Sequence, residues 1–240
     1  MTPPILDVDA VDVFIQASHI LRKVSLEVGR DEVVCLVGRN GAGKTTALRT
    51  IMGYLHPRAG RVELAGRPIQ DRPTHEIAML GIGFAPEEGG IFADLTVAEN
   101  IEIATWTRPT ARTAAERIAE AYEVFPKLRG YATRGGAQLS GGERRMLSIA
   151  RALALDPELL LLDEPFEGLA PAIIPVITDS IAAIAQKLGR AILIAESNIH
   201  HVPEYARRLY VIERGEIVFA GSPTDARRDP SLARIIGGSA

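Results

Sequence analysis

A glycine-rich stretch near the start of the chain has the residue types and spacing of a phosphate-binding loop. It fits the pattern G-x-x-x-x-G-K-[ST] at every fixed position of residues 38–45. The glycines let successive backbone N–H groups point at a phosphate, because no Cβ stands in the way. Lys44 then brings a positive charge to the β- and γ-phosphates, and the Thr45 hydroxyl is placed to coordinate Mg²⁺. The predicted nucleotide-binding residues are Gly38, Arg39, Asn40, Gly41, Ala42, Gly43, Lys44, Thr45 and Thr46, with Lys44 also catalytic.

Two acidic residues end an apolar run later in the chain. Four leucines at 159–162 precede Asp163 and Glu164, and such a run is typical of a strand buried on both faces of a parallel sheet. Asp163 at the tip of this strand is predicted to hold Mg²⁺, and Glu164 to polarise the water that attacks the γ-phosphate. Because the pair follows a phosphate loop, it is interpreted as catalytic and not as an ordinary solvated strand end.

A second candidate phosphate site lies in the pentapeptide Leu-Ser-Gly-Gly-Glu at residues 139–143. Ser140 is predicted to cap a helix whose N-terminus offers bare backbone amides and the positive end of the helix dipole. Alone, this pattern would be interpreted as an ordinary helix cap with glycines. Its place between the phosphate loop and the acidic pair indicates a second phosphate contact, made by Ser140, Gly141 and Gly142.

The residues around these motifs predict the elements that position them. Thr96 and Glu99 form a capping box ahead of one helix. The predicted fold class is α/β, a P-loop NTPase core with a mostly parallel sheet, an N-terminal antiparallel β part and an inserted helical subdomain. A single domain is predicted over 1–240, with a catalytic core at 1–86 and 156–240 and a helical subdomain at 87–155. Strands are predicted over 24–28, 32–37, 61–64, 81–85, 159–162, 191–195, 209–213 and 216–220, and helices over 44–53, 97–104, 111–125, 141–154, 171–188 and 198–206.

Composition and charge exclude several classes of protein. Hydrophobic residues make up 47% of the 240 residues, enough for a sizeable core. The net charge is −3 and the basic pairs are isolated, so no nucleic-acid partner is expected. The one cysteine, Cys35, lies in an apolar run and is predicted to be a core residue, which excludes a disulfide framework. No run approaches the ~18 apolar residues of a membrane span, so a role at a membrane would require a partner.

The three motifs, in this order, resemble the ATP-binding subunits of ABC transporters over essentially the whole chain. Residues 38–45 match Walker A, 139–143 the signature and 159–163 Walker B, with Glu164 in the catalytic position. The resemblance implies that ATP and Mg²⁺ bind and that two subunits sandwich two ATP molecules head to tail. Each ATP would then contact Walker A of one chain and the signature of the other. It also implies membrane-spanning permease subunits and a peripheral location on the cytoplasmic face of the inner (plasma) membrane.

Residues 81–87, 91–100 and 164–171 are similar to the branched-chain amino acid importer branch of this family. The expected function is therefore ATP binding and hydrolysis for import of branched-chain or other amino acids. The expected partners are a second ATPase, identical or related, and indirectly a periplasmic solute-binding protein. Urea and other small-solute importers carry similar stretches and are the alternative. Two further interpretations stay open: a soluble ABC ATPase of DNA repair or translation, which usually adds coiled coils or a second ATPase domain, and a nucleotide-binding partner that barely hydrolyses.

Several residues depart from the common family pattern. Glu87 stands where most members have a glutamine that senses Mg²⁺ and where the amino-acid branch commonly has glutamate, so it is predicted to be a metal ligand, with a solvated loop acid as the alternative. Ser197 replaces the switch histidine and is predicted to be catalytic, bonding phosphate through water with slow hydrolysis as the result. The aromatic that often stacks on adenine aligns with Ile15. Its neighbour Phe14 is therefore predicted to bind the cofactor, with strand packing as the alternative.

Three other residues carry open interpretations. Trp106 either lines a groove for a membrane subunit or packs locally. His200 and His201 follow Ser197 closely, and either could substitute for the switch histidine. Two histidines on a helix surface are usually only surface residues.

Overall fold

Two β-sheets organise residues 3–236, which are the residues that the computed structural model describes. Residues 1–2 and 237–240, the ends of the predicted domain, lie outside the described range. The strands are β1 Leu6–Ile15, β2 Ser18–Val28, β3 Val33–Val37, β4 Ala59–Leu64, β5 Arg67–Pro68, β6 Ile82–Ala85, β7 Leu159–Asp163, β8 Ala191–Glu196, β9 Arg208–Glu213 and β10 Glu216–Gly221. The helices are α1 Lys44–Ile51, α2 Thr74–Met79, α3 Val97–Thr105, α4 Ala114–Val124, α5 Pro126–Arg129, α6 Gly141–Ala154, α7 Ile174–Gln186, α8 Pro223–Arg228 and α9 Ala233–Ile236.

The larger sheet has the strand order β10-β9-β3-β8-β7-β6 and is parallel except for β10 at one edge. In its register Val37 of β3 lies beside Glu196 of β8, and Asp163 of β7 lies beside Ala195. Because the carboxyl ends of parallel strands meet at one edge, the segments that follow these three strands come together. The predicted mostly parallel sheet is therefore confirmed.

The smaller sheet is antiparallel, in the order β2-β1-β4-β5, and confirms the predicted N-terminal β part. Its first strand was not predicted. Leu6 and Val8 are buried, but the next buried pair is Val11 and Val13, so the alternation slips by one residue. The slip occurs at Ala10, whose φ is 47°, where the pairing with β2 also shifts. This β-bulge hides the period-two pattern of the strand.

Helices α3 to α6 all lie between β6 and β7, which gives the predicted helical insertion. The capping box before α3 is confirmed, because Thr96 N donates to Glu99 Oε2 at 2.7 Å and Glu99 N donates to Thr96 Oγ1 at 3.2 Å. A second box at Thr113 starts α4 at Ala114, three residues later than predicted. Treating residues 87–155 as a separate subdomain stays a prediction.

The parallel sheet is buried on both faces. Along β3, Val33, Cys35 and Val37 face one apolar cluster, and Val34 and Leu36 face the other. Cys35 is fully buried, as predicted for a core residue. The four leucines at 159–162 are also 0% exposed. At roughly 2 kcal/mol of hydrophobic stabilisation for each of these side chains, they hold β7 in place and so fix the position of Asp163.

The prediction of a helix over 198–206 is wrong. Only a 3₁₀ turn forms there, at Ile199–His201, with the Asn198 side chain accepting from His200 N. Pro203 has no N–H to donate and pushes the residue before it away from helical geometry, so Val202 is extended, with ψ 118°. The helix predicted from residue 171 begins later, at Ile174.

Candidate functional site

The phosphate loop connects β3 to α1 and requires glycine at two positions because its backbone packs closely. A Cβ on Gly38 would lie 2.3 Å from the carbonyl oxygen of Ile212. Gly43 is the N-cap of α1 with φ 116°, and a Cβ there would lie 2.8 Å from Cδ2 of Leu21. The loop is thus fixed by the sheet on which it lies, and the first turn of α1 opens at Lys44 with its N–H groups free of a side-chain cap.

Lys44 is buried among oxygen atoms. Its Nζ donates to the carbonyl oxygens of Gly38 at 2.6 Å and Arg39 at 3.2 Å. The same atom lies 3.0 Å from Oε1 of Glu164, and both side chains are 4% exposed. A buried charge requires a partner of opposite sign, so the predicted phosphate ligand and the predicted base neutralise one another.

Thr45 and Asp163, both predicted to bind the metal, contact one another. The Thr45 hydroxyl donates to Asp163 Oδ1 at 3.1 Å. Burial raises the pKa of Asp163 to about 6, and the carboxylates of Glu164 and Glu87 add to this rise while the Thr45 hydrogen bond opposes it. A cation would offset this desolvation. Within residues 3–236 no group of three or more His, Cys, Asp or Glu side chains is arranged to hold a metal. One hydroxyl and one carboxylate fit Mg²⁺, which usually completes its shell with water and substrate phosphate.

Glu164 has both carboxylate oxygens engaged and an unusual backbone. Its φ is 47°, in the left-handed region, which costs a non-glycine residue about 1–2 kcal/mol. Its N–H donates to the Ala195 carbonyl at 2.9 Å. Oε2 accepts from the backbone N–H of Ser197 at 3.0 Å, so it is the main chain of Ser197, at the predicted switch position, that contacts the predicted base. The Ser197 side chain is half-buried.

A cavity of about 260 Å³ lies over the phosphate loop. Glu87 is exposed and lines this cavity, and its role as a metal ligand stays a prediction. Two residues that line the cavity, Ile20 of β2 and Glu167, were not predicted as site residues. Burial and the carboxylates of Glu164 and Glu87 raise the pKa of Glu167; its only sequence signal is an acid three residues after Glu164. The lining residues are Ile20, Asn40, Gly41, Gly43, Lys44, Thr45, Thr46, Glu87, Glu164 and Glu167.

The signature residues lie elsewhere. Of residues 3–236, those lining the phosphate-loop cavity do not include Ser140, Gly141 or Gly142. Ser140 and Gly141 are exposed and Gly142 is half-buried. Ser140 caps α6 in a capping box with Glu143, whose Oε2 accepts from Ser140 N at 2.9 Å. This bond holds the pKa of Glu143 at about 2, although burial opposes the shift.

Phe14 packs in its strand. Its ring stacks on that of His19, with centroids 4.1 Å apart and planes at 9°, and the Arg58 guanidinium lies 4.2 Å from the ring centre. The ring is therefore already engaged by two neighbouring side chains. The geometry thus favours strand packing over the predicted cofactor contact. Ile15 is 43% exposed, and Ile20 is the apolar residue that lines the phosphate-loop cavity.

A larger groove of about 690 Å³, here called the lateral groove, lies between the parallel-sheet core and the helical insertion. The Arg151 guanidinium lies 4.7 Å from the ring centre of Phe92 in its wall. Trp106 is 72% exposed and so is not packed locally. Among the described residues that line the groove its neighbour Thr107 is present, but Trp106 is not. None of the helices in the described part of the chain has the length and hydrophobicity of a membrane span. Aromatic and apolar residues of the groove include Tyr54, Phe84, Phe92 and Ile103.

Comparisons with known proteins agree with this geometry. Residues 21–167 match the family model described as ABC transporter. The chain is 36% identical over 220 residues to a protein of Archaeoglobus fulgidus named as the probable branched-chain amino acid transport ATP-binding protein LivF, covering 92% of this chain and 93% of the relative. It is also 36% identical over 218 residues to the lipopolysaccharide export system ATP-binding protein LptB of Acidithiobacillus ferridurans, covering 90% and 89%.

Solved structures give the same result. The ADP conformation of MJ1267, an ATP-binding cassette of an ABC transporter, superposes with a TM-score of 0.85 at 27% identity, over 99% of this chain and 100% of that one. The relatives named for amino acid transport and for lipopolysaccharide export are equally similar, so they establish a family and an activity but not a cargo. The chain belongs to the ABC transporter family and is an ATPase subunit, a cassette that binds adenine nucleotide and hydrolyses ATP to drive transport.

Proposed function

We propose that this ATPase powers the import of branched-chain or other amino acids. The proposal is carried by the position of Glu87, which lines the phosphate-loop cavity together with Thr45 and Glu164. Glutamate at this position is the feature that the resemblance associates with the amino-acid branch. The chain is as similar to LptB as it is to LivF, so the assignment to amino acids rests on Glu87.

The phosphates of ATP bind in the phosphate-loop cavity. Lys44 exchanges its contact with Glu164 for the β- and γ-phosphates, which keeps its charge paired throughout. Thr45, Asp163 and Glu87 hold Mg²⁺, which when bound neutralises charge on the phosphates. Glu164, released from Lys44, accepts a proton from the water that attacks the γ-phosphate. The leucine-rich strand behind it keeps bulk water away from one side of the site.

The signature residues act on a neighbouring chain. Ser140 and Gly141 are exposed at the start of α6 and lie outside the cavity of their own phosphate loop. In a head-to-tail dimer, Ser140, Gly141 and Gly142 direct a hydroxyl and backbone amides at the ATP held by a second, identical or related ATPase. Hydrolysis then requires the closed dimer, which couples the reaction to movement of the transporter.

The lateral groove receives a segment of a membrane-spanning permease. Its exposed aromatic rings, Tyr54 at 57% and Phe92 at 47%, provide apolar area for such a contact. The chain is then held peripherally on the cytoplasmic face of the inner membrane. A periplasmic solute-binding protein delivers the amino acid on the other side.

The test uses the chain purified with its partners from membranes. We expect affinity-tagged protein to co-purify with permease subunits, which mass spectrometry identifies. In proteoliposomes, the complex should take up labelled leucine or a related amino acid with ATP on the chain's side, and a Glu164→Gln complex serves as the matched control. Uptake of urea alone, or extraction of lipopolysaccharide, would overturn the amino-acid proposal. Recovery only on ribosomes or DNA would overturn the transporter role.

A further inference from the structure

A glutamate and a histidine beside Glu164 take no part in the steps proposed above. Glu196 is the last residue of β8 and its side chain is 1% exposed. Its Oε2 lies 3.4 Å from Nδ1 of His201, in the 3₁₀ turn that follows. Its Oε1 accepts a hydrogen bond from the backbone N–H of Phe166 at 3.3 Å. One buried carboxylate therefore joins His201 to the main chain two residues after Glu164.

The same two segments meet at three further points. Glu164 N donates to Ala195 O at 2.9 Å, and Ser197 N donates to Glu164 Oε2 at 3.0 Å. The rings of Phe166 and His201 pack with centroids 5.4 Å apart. The conformation of residues 164–166 thus depends on the segment 195–201, and Glu196 with His201 forms the side-chain part of that connection.

The charges around this pair make His201 the cation on which Glu196 depends. Burial raises the pKa of Glu196, and the negative charge of Glu164 raises it further, whereas His201 lowers it. Arg145 of α6 also faces Glu196, but its guanidinium donates to the carbonyl oxygens of Pro86 and Asp163. From β3, the thiol of Cys35 also faces Glu196.

His201 in turn faces Glu196 and Glu164. The hydrogen bond with Glu196 is the main reason that the pKa of His201 is raised. From α8, the Arg227 guanidinium donates to the Val202 carbonyl at 3.2 Å, next to His201 in the chain. The charged groups that face the Glu196–His201 pair are therefore Glu164 and Arg145. The segment after β7 contacts Glu196, and α8 contacts the residue after His201.

We propose that His201 is a positioning residue for ATP hydrolysis. By pairing with Glu196 it keeps that carboxylate ionised and directed at Phe166 N, which holds the backbone that carries Glu164. The inference rests on the role of Glu164 in the proposed function. Among residues 3–236, the residues lining the phosphate-loop cavity do not include His201, so it acts through other groups and does not replace the switch histidine.

The test compares His201→Gln with His200→Gln in the full chain. His200 is the exposed neighbour and, among residues 3–236, does not line the phosphate-loop cavity, so the same substitution there is the matched control. We expect His201→Gln to lower kcat about tenfold, since small displacements of a reacting group are costly, and to leave KM for ATP within about twofold. His200→Gln should retain the parent kcat. Because the imidazolium exists only below its raised pKa, the ratio of parent to His201→Gln kcat should be largest near pH 6 and fall towards one at alkaline pH.

Two more variants keep the proposal falsifiable. His201→Lys keeps a cation up to about pH 10, so the ratio of its kcat to that of His201→Gln should not change with pH over that range. Glu196→Gln removes the charge, so adding His201→Gln to it should cause no further loss. A kcat for His201→Gln within twofold of the parent at every pH, or losses that multiply in the double variant, would overturn the proposal. If instead Glu164→Gln retains hydrolysis, the proposed role of Glu164 fails whatever His201 does.

Discussion

The phosphate-loop half of the site and the signature half are built in opposite ways. Lys44 and Glu164 are each 4% exposed and contact one another, and Thr45 donates to Asp163. Ser140, in contrast, is exposed and its side chain serves its own capping box with Glu143. The fold itself assembles the first half, whereas the second half presents its donors to something outside the chain.

The largest expected effect comes from Glu164→Gln, which tests the half that the fold assembles. The amide cannot accept the proton of the attacking water, so hydrolysis should fall at least about 100-fold. ATP binding should persist, because Lys44 and the loop amides remain. Phosphate release and fluorescent-nucleotide binding measure the two quantities. Size-exclusion chromatography with ATP should then show a stable dimer; a species that stays monomeric at saturating ATP would contradict an outward-facing signature.

Ser140→Ala tests the exposed half, and Thr113→Ala is its matched control. Both residues form capping boxes, with Glu143 and Glu116 respectively, so each change should lower stability by about 1 kcal/mol. Only Ser140→Ala should also slow hydrolysis, by about tenfold, because it removes a hydroxyl from the partner's phosphate. Thermal unfolding and turnover at saturating ATP measure both. Equal turnover in the two variants would show that Ser140 is only a cap.

Ser197→His adds an imidazole to the phosphate-loop half of the site. The backbone N–H that reaches Glu164 is retained, while the imidazole supplies a longer, chargeable donor near the phosphate. We expect turnover to rise about fivefold. An unchanged rate in steady-state assays would refute the hypothesis that Ser197 makes hydrolysis slow.

The smallest expected effect is a change in the pH dependence of stability caused by Glu143→Gln. The pKa of Glu143 in the folded chain is about 2, below its ordinary 4.5. Its depressed pKa stabilises the fold fully above pH 4.5, and this contribution is lost as pH falls towards 2. The melting temperature of the parent should therefore exceed that of Glu143→Gln by a constant amount from about pH 7 to 5, and the difference should shrink below about pH 4.5. A difference that does not change down to about pH 3 would show that hydrogen bonding to ionised Glu143 is not its source.

Local patterns in the sequence predicted the elements that carry the motifs. The bounds of α6 follow from Ser140 as its cap, and the apolar run at 159–162 marks β7 without ambiguity. Strand β1 was missed because the bulge at Ala10 breaks its alternation. The helix predicted over 198–206 failed because Pro203 outweighs the helical pattern.

The sequence predicted the site residues that lie at the ends of parallel strands. It did not predict the side-chain contacts that depend on how distant segments pack. Parallel pairing alone brings Asp163 and Glu164 towards the phosphate loop. The pairing of Glu196 with His201 depends instead on a turn whose shape the sequence pattern misstated. The contact between the Phe14 ring and Arg58 joins residues that are distant in sequence and that meet only in the folded chain.

The burial of Cys35 has a practical consequence for studying the working cycle. It is the one cysteine among 240 residues, it is 0% exposed, and burial raises its pKa well above the usual range. A thiol that is both inaccessible and protonated does not react with maleimides at neutral pH. The natural chain thus serves as its own cysteine-free background, and a single engineered thiol on the outer surface would accept a spectroscopic label without any other change.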